Sequence, residues 1–98
     1  MVYVGPCEYP IGKLWKGQKW CHMFADTVEE LHAMADQIGM RREWFQGAPK
    51  HKLEHYDLNS ARRGKAVAAG AVSLTYGEEN AKLREFFAKL REQKLQTT

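Results

Sequence analysis

The sequence predicts a small α/β domain, a mostly parallel sheet of about four strands with flanking helices in the order β-β-α-β-α-β-α. Three observations lead there. Short runs rich in β-branched and aromatic residues alternate with stretches of helical periodicity. The helical stretches open on capping residues and two of them close on Gly39 and Gly70. The chain has 98 residues, 44% hydrophobic and 28% charged, which makes one domain with an ordinary core.

The elements follow in order. Residues 1–4 form a short strand that ends at Gly5-Pro6. Residues 6–19 hold two prolines and two glycines and read as a loop. Residues 20–24 are a second strand. Asp26-Thr27 opens a helix, with Thr27 and Glu30 fitting a capping box; Val28, Leu31, Ala35 and Ile38 are its buried stripe. Residues 43–46 are expected as a strand and residues 47–54 as an exposed basic loop. Asn59-Ser60 caps a second helix that runs to Ala69, and residues 71–76 are the next strand. A last amphipathic helix spans about residues 78–94, with Leu83, Phe86, Phe87 and Leu90 at i, i+3, i+4, i+7 spacing. Residues 1–98 are thus expected as a single domain.

Charge and cysteine usage exclude more than they assign. A net charge of +3 is a modest excess, and Glu29, Glu30, Glu78 and Glu79 read as solvated surface mixed with it. Cys7 and Cys21 form neither a disulfide framework nor a zinc spacing, which predicts reduced thiols and a cytoplasmic protein. No run approaches the ~18 apolar residues of a membrane span, so no membrane partner is expected.

Four groups of side chains offer chemistry. His22 and Asp26 stand near the end of the second strand; Asp26 serves equally as a helix cap. Cys21 beside His22 is not expected to form a nucleophile–base pair, because neighbours in a strand point to opposite faces. His55, Tyr56 and Asp57 precede the second helix, whose first turns carry Arg62, Arg63 and Lys65; a helix N-terminus with flanking arginines suits a phosphate. Arg63 is expected on an exposed helix face, where its loss costs little stability. His32 flanks the stripe of the first helix, facing the site or edging the core. Trp15 lies in a loop with Lys13, Lys16 and Lys19, a composition that can stack on a base and meet phosphates. The C-terminal stripe is core or a homo-oligomer face.

The strings Cys21-His22-Met23, Ala25-Asp26, Glu30-Leu31-His32-Ala33, Ala35-Asp36 and Ile38-Gly39 resemble an uncharacterised family, a domain of unknown function found in small bacterial and phage proteins. Trp44, Gln46-Gly47, His55-Tyr56-Asp57 and the run from Lys65-Ala66-Val67 to Gly70-Ala71-Val72 share the likeness, which covers roughly residues 1–76 and leaves the last helix outside. The family commonly ends its first strand on an Asp. This chain has Gly5 there, with Glu8 nearby, a departure that weighs against catalysis. The likeness to phage proteins implies interference with host nucleotide signalling, in the host cytoplasm.

The expected function is therefore binding, and sequestration, of a small phosphorylated nucleotide ligand. Trp15, His22, His32, Gln46, His55, Tyr56, Arg62, Arg63 and Lys65 are the expected contacts. No cofactor is needed for it. The alternative is a small metal-dependent phosphoesterase in which His22, Asp26, His55 and Asp57 serve a divalent ion or act as acid and base. A nucleic-acid or protein-binding module resting on the basic stretches 13–19 and 41–52 ranks behind both.

Overall fold

The computed structural model describes residues 1–7, 9–10, 19–47 and 53–96. Trp15, Glu8, Lys13 and Lys16 lie outside the described residues, as do residues 13–18 of the first basic stretch and 48–52 of the second. The chain forms β1 (Val2–Val4), β2 (Tyr9–Pro10), β3 (Lys19–Ala25), α1 (Val28–Gln37), β4 (Tyr56–Leu58), α2 (Ser60–Ala68), β5 (Val72–Ser73) and α3 (Tyr76–Gln96). A 3-10 turn, Arg42–Trp44, follows α1.

This is a mixed α/β domain, but its sheet is mostly antiparallel. Across the sheet the order is β4-β3-β1-β5, with β2 pairing the start of β3. Among the described residues only β1 and β5 run parallel. β3 runs against β1, β2 and β4 alike. Parallel neighbours need a long crossover, usually helical. The segment between β1 and β3 carries Pro6, Pro10, Gly12 and Gly17, and within it β2 pairs antiparallel with the start of β3.

Two further expectations are corrected. Residues 43–46 are not a strand: Arg42–Trp44 is the 3-10 turn, and Gln46 makes one isolated bridge to His55. The strand appears instead at Tyr56–Leu58, a run too short to show period two convincingly. The strand expected over 71–76 is only Val72–Ser73, because Thr75 already caps α3.

The helix ends follow the local chemistry. Thr27 Oγ1 accepts the Glu30 N–H at 3.2 Å and Asn59 Oδ1 accepts the Arg62 N–H at 2.9 Å. Gly39 and Gly70 have positive φ, 79° and 108°, the left-handed backbone that only glycine adopts without strain. At α3, Thr75 Oγ1 accepts the Glu78 N–H at 3.3 Å while the Thr75 N–H donates to the Glu78 carboxylate at 2.9 Å. These bonds hold the Glu78 carboxyl below the ordinary carboxylate range.

Strand alternation divides the sheet into two unlike faces. One face buries Val2, Val4, Cys21, Met23, Tyr56 and Leu58 against Leu31, Met34, Ala35 and Ile38 of the α1 segment and Ala66 of α2. The other buries Tyr3, Phe24 and Leu74 under Leu83 and Phe86 of α3. Phe24 and Phe86 meet edge to face with centroids 5.5 Å apart. The C-terminal stripe is therefore core at Leu83 and Phe86, and Leu90 is exposed. No helix among the described residues is long and apolar enough to cross a membrane.

Arg63 ties the layers together. Its Nε donates to the Gly5 carbonyl at 2.7 Å and its Nη2 to Ser73 Oγ at 2.6 Å, joining α2 to β1 and β5. It is half-buried, not on a freely exposed face. Arg63→Ala is expected to lower the unfolding free energy by about 1.5–3 kcal/mol, the range for hydrogen bonds from a charged donor, as read by urea denaturation. Because the Glu78 carboxyl is depressed in the folded state, its contribution to stability is complete above its unfolded pKa and is lost as pH falls through the folded one. Glu78→Gln is expected to lower stability by a constant amount at and above neutrality and to converge on wild type at acid pH, which flattens the acid limb of the stability–pH curve.

Candidate metal centre

The register of β3 with β4 builds the site. His22 pairs directly with Asp57, and cross-strand partners share a face. His55 lies two residues before Asp57 and so shares that face as well. The three side chains converge: one ligand atom from each of His22, His55 and Asp57 lies within 4.8 Å of the other two. His22 Nε2 is 4.0 Å and His55 Nε2 3.6 Å from Asp57 Oδ1. The two imidazoles stand edge to face, centroids 5.2 Å apart.

Each of these groups is held from behind on the atom that points away from the shared centre. His55 Nδ1 lies 2.8 Å from the Leu53 carbonyl. A carbonyl only accepts, so Nδ1 carries the proton and the Nε2 lone pair faces Asp57. Asp57 Oδ2 accepts from Gln46 Nε2 at 2.7 Å, which leaves Oδ1 toward the histidines. His22 Nδ1 faces the Glu79 carboxylate at 3.9 Å. Outer partners of this kind orient the ligands of metal sites. Two imidazoles and a carboxylate suit zinc, manganese, iron or cobalt, and three protein ligands leave positions open for water and substrate. The side chains are 35% (His22), 10% (His55) and 24% (Asp57) exposed, so the centre is reachable from solvent.

A cleft of about 530 Å³ adjoins the centre and shares Asp57 with it. Trp20, Trp44, Phe45, Gln46 and Arg62 are among its walls. The Arg62 guanidinium lies over the Trp44 ring, 5.2 Å from its centroid. Trp44 is 40% exposed.

The remaining sequence candidates fall elsewhere. Asp26 accepts from the Tyr3 hydroxyl at 3.0 and 3.1 Å, pairs with the N-terminal amine at 3.4 Å, and lines a separate cleft against α3. His32 Nδ1 lies 2.8 Å from the Tyr56 hydroxyl, and its ring packs edge-on to Phe45. Tyr56 is fully buried on the α1 side of the sheet. Arg62 reaches the cleft, Arg63 is spent on Gly5 and Ser73, and Lys65 is exposed. The Arg62 backbone N–H at the start of α2 is taken by Asn59.

Glu79 escapes a reading of the sequence. It follows the Thr75–Glu78 cap and reads as a solvated first-turn acid, yet it is 1% exposed. Only the packing of α3 on the sheet buries it. Cys21 points into the opposite face, its Sγ 3.5 Å from the Leu58 carbonyl. Burial, and then its hydrogen bond with Cys7, push the Cys21 thiol well above the ordinary thiol range. The native protein is expected to leave Cys21 unmodified by iodoacetamide at pH 8, with labelling only after denaturation, read by peptide mass spectrometry.

The family described as "Protein of unknown function (DUF4031)" matches residues 2–86. The match passes beyond residue 76 and takes in α3 as far as Phe86, so the helix that carries Glu79 is part of the family domain. No curated protein and no solved structure matches the chain.

Proposed function

This chain belongs to the DUF4031 family, and we propose that it is a divalent-metal-dependent hydrolase acting on a small phosphorylated ligand of nucleotide type. The observation that carries this reading is the backed trio: His22, His55 and Asp57 turn one donor atom each toward a common point while His55 and Asp57 are hydrogen-bonded on the other side. Outer hydrogen bonds of this kind are what orient the ligands of a metal site.

The chemistry follows from the donor set. A bound divalent ion polarises a phosphoryl oxygen and brings the pKa of a bound water toward 7. His22 and His55, each through Nε2, and Asp57, through Oδ1, would hold such an ion. Arg62, on the cleft wall, pairs with a phosphate through its planar fork. Trp44, already carrying a guanidinium on its face, offers a flat surface to a base. In the reaction the water would give up a proton as its oxygen bonds to phosphorus, the ester P–O bond would break, and the released alkoxide would take up a proton to leave as the alcohol. The cleft volume lies within the range usual for small-molecule sites.

Sequestration without turnover is the second reading. The Arg62–Trp44 wall favours it, because that wall holds an aromatic anion without any metal. One assay separates the two. The purified protein is incubated with cyclic nucleotides, cyclic dinucleotides and ADP-ribose derivatives, with and without manganese or zinc. Bound and free species are then identified by mass spectrometry. Hydrolysis is expected only with metal, and Asp57→Asn is expected to lower turnover at least ~100-fold. Arg62→Ala is expected to raise KM more than it lowers kcat. Ligand recovered intact, near one per chain and independent of metal, would replace the hydrolase by the sequestering protein.

A further inference from the structure

The residue facing His22 from α3 raises a question of its own, since a buried carboxylate is costly unless paired, hydrogen-bonded or set against a metal. Glu79 is 1% exposed, and its Oε2 lies 3.9 Å from His22 Nδ1, on the far side of the ring from Asp57. It reaches that place over Gly5. A Cβ built on Gly5 would lie 1.5 Å from Glu79 Oε2 and 2.4 Å from Cδ. Gly5 and Glu79 are therefore complementary: the missing side chain of β1 is the space the α3 carboxylate fills. No backbone requirement explains the glycine, because the positive-φ glycines are Gly39 and Gly70.

We infer that Glu79, admitted by Gly5, is the positioning residue of the metal centre: its carboxylate accepts from His22 Nδ1–H and so presents the Nε2 lone pair to the ion. The inference rests on the metal reading of His22, His55 and Asp57. His55 already has such a partner in the Leu53 carbonyl, and Asp57 has one in Gln46. His22 completes the set through a carboxylate, the stronger acceptor. Glu79 Oε2 stands 3.9 Å from His22 Nδ1. A carboxylate there raises the basicity of the imidazole and balances the charge of a divalent ion. It also makes α3 part of the site, because the helix that covers Tyr3 and Phe24 carries the residue that orients a ligand.

The test uses cobalt(II) and zinc(II) on the full chain. Wild type is expected to bind one cobalt(II) ion with a visible absorption spectrum that reports its ligands. Glu79→Leu is expected to weaken cobalt(II) binding 10- to 100-fold and to alter the spectrum, with the metal-free fold retained by circular dichroism. Glu79→Gln preserves volume and is expected to lie between wild type and Glu79→Leu. Gly5→Ala changes no charge, yet its new Cβ displaces the carboxylate and is expected to weaken binding as Glu79→Leu does. The double variant is expected to be no weaker than Glu79→Leu alone, whereas two merely structural defects would add. Glu79→Ala with Gly5→Asp, which carries a carboxylate into the same space from β1, is expected to recover affinity.

If wild type binds cobalt(II) and Glu79→Gln and Glu79→Leu bind it as tightly with unchanged spectra, the role of Glu79 is refuted while the metal centre stands. If wild type binds neither cobalt(II) nor zinc(II), the metal reading fails and the role of Glu79 falls with it.

Discussion

The pairing of β3 with β4 is the constraint on which the rest depends. Three consecutive antiparallel pairs, Cys21 with Leu58, His22 with Asp57 and Met23 with Tyr56, decide which side chains meet. Because strand side chains alternate, the pairs that flank His22–Asp57 go to the apolar core and the central pair goes to the other face. A slip of one residue would bury His22 and Asp57 and expose Met23 and Tyr56. The burial of Met23, Tyr56, Cys21 and Leu58 thus holds the polar pair in register. The core on one side of the sheet is what positions the chemistry on the other.

The second face is divided along its length. Near one end Tyr3, Phe24 and Leu74 pack beneath Leu83 and Phe86, so α3 is anchored by ordinary apolar burial. Fully burying a ring such as Phe24 contributes about 1.5–3 kcal/mol. Near the other end the same face carries His22, His55 and Asp57, with Glu79 above Gly5. The apolar part supplies the free energy that keeps the polar part assembled. The cost of enclosing Glu79 is borne by a helix already held at Phe86.

The cations of α2 divide their labour in a way their spacing does not reveal. Arg62 and Arg63 are adjacent in sequence, about 100° apart around the helix. Arg62 reaches the cleft wall and lies on Trp44, while Arg63 turns to the sheet and bonds Gly5 and Ser73. Gly5 thus meets Arg63 through its carbonyl and Glu79 through the space at its Cα. Arg62 and Asp57 both line the cleft, and Asp57 is the residue the cleft shares with the candidate metal centre.

The sequence by itself determined the α/β class and both glycine-terminated helices with their Thr27 and Asn59 caps, and it put His22, His55, Asp57 and Gln46 among its candidate site residues. These were legible because caps, periodicity and residue chemistry act within a few positions of one another. Strand direction, the three-residue β4, the withdrawal of Asp26 to Tyr3 and of His32 to Tyr56, the structural employment of Arg63 and the burial of Glu79 were decided only by tertiary structure. Each depends on contacts between residues far apart in the chain: Glu79 and Gly5 are 74 positions apart (79 − 5), and nothing near either one signals the other. Local chemistry names the donors, but the sheet register and the seat of α3 bring them to one point.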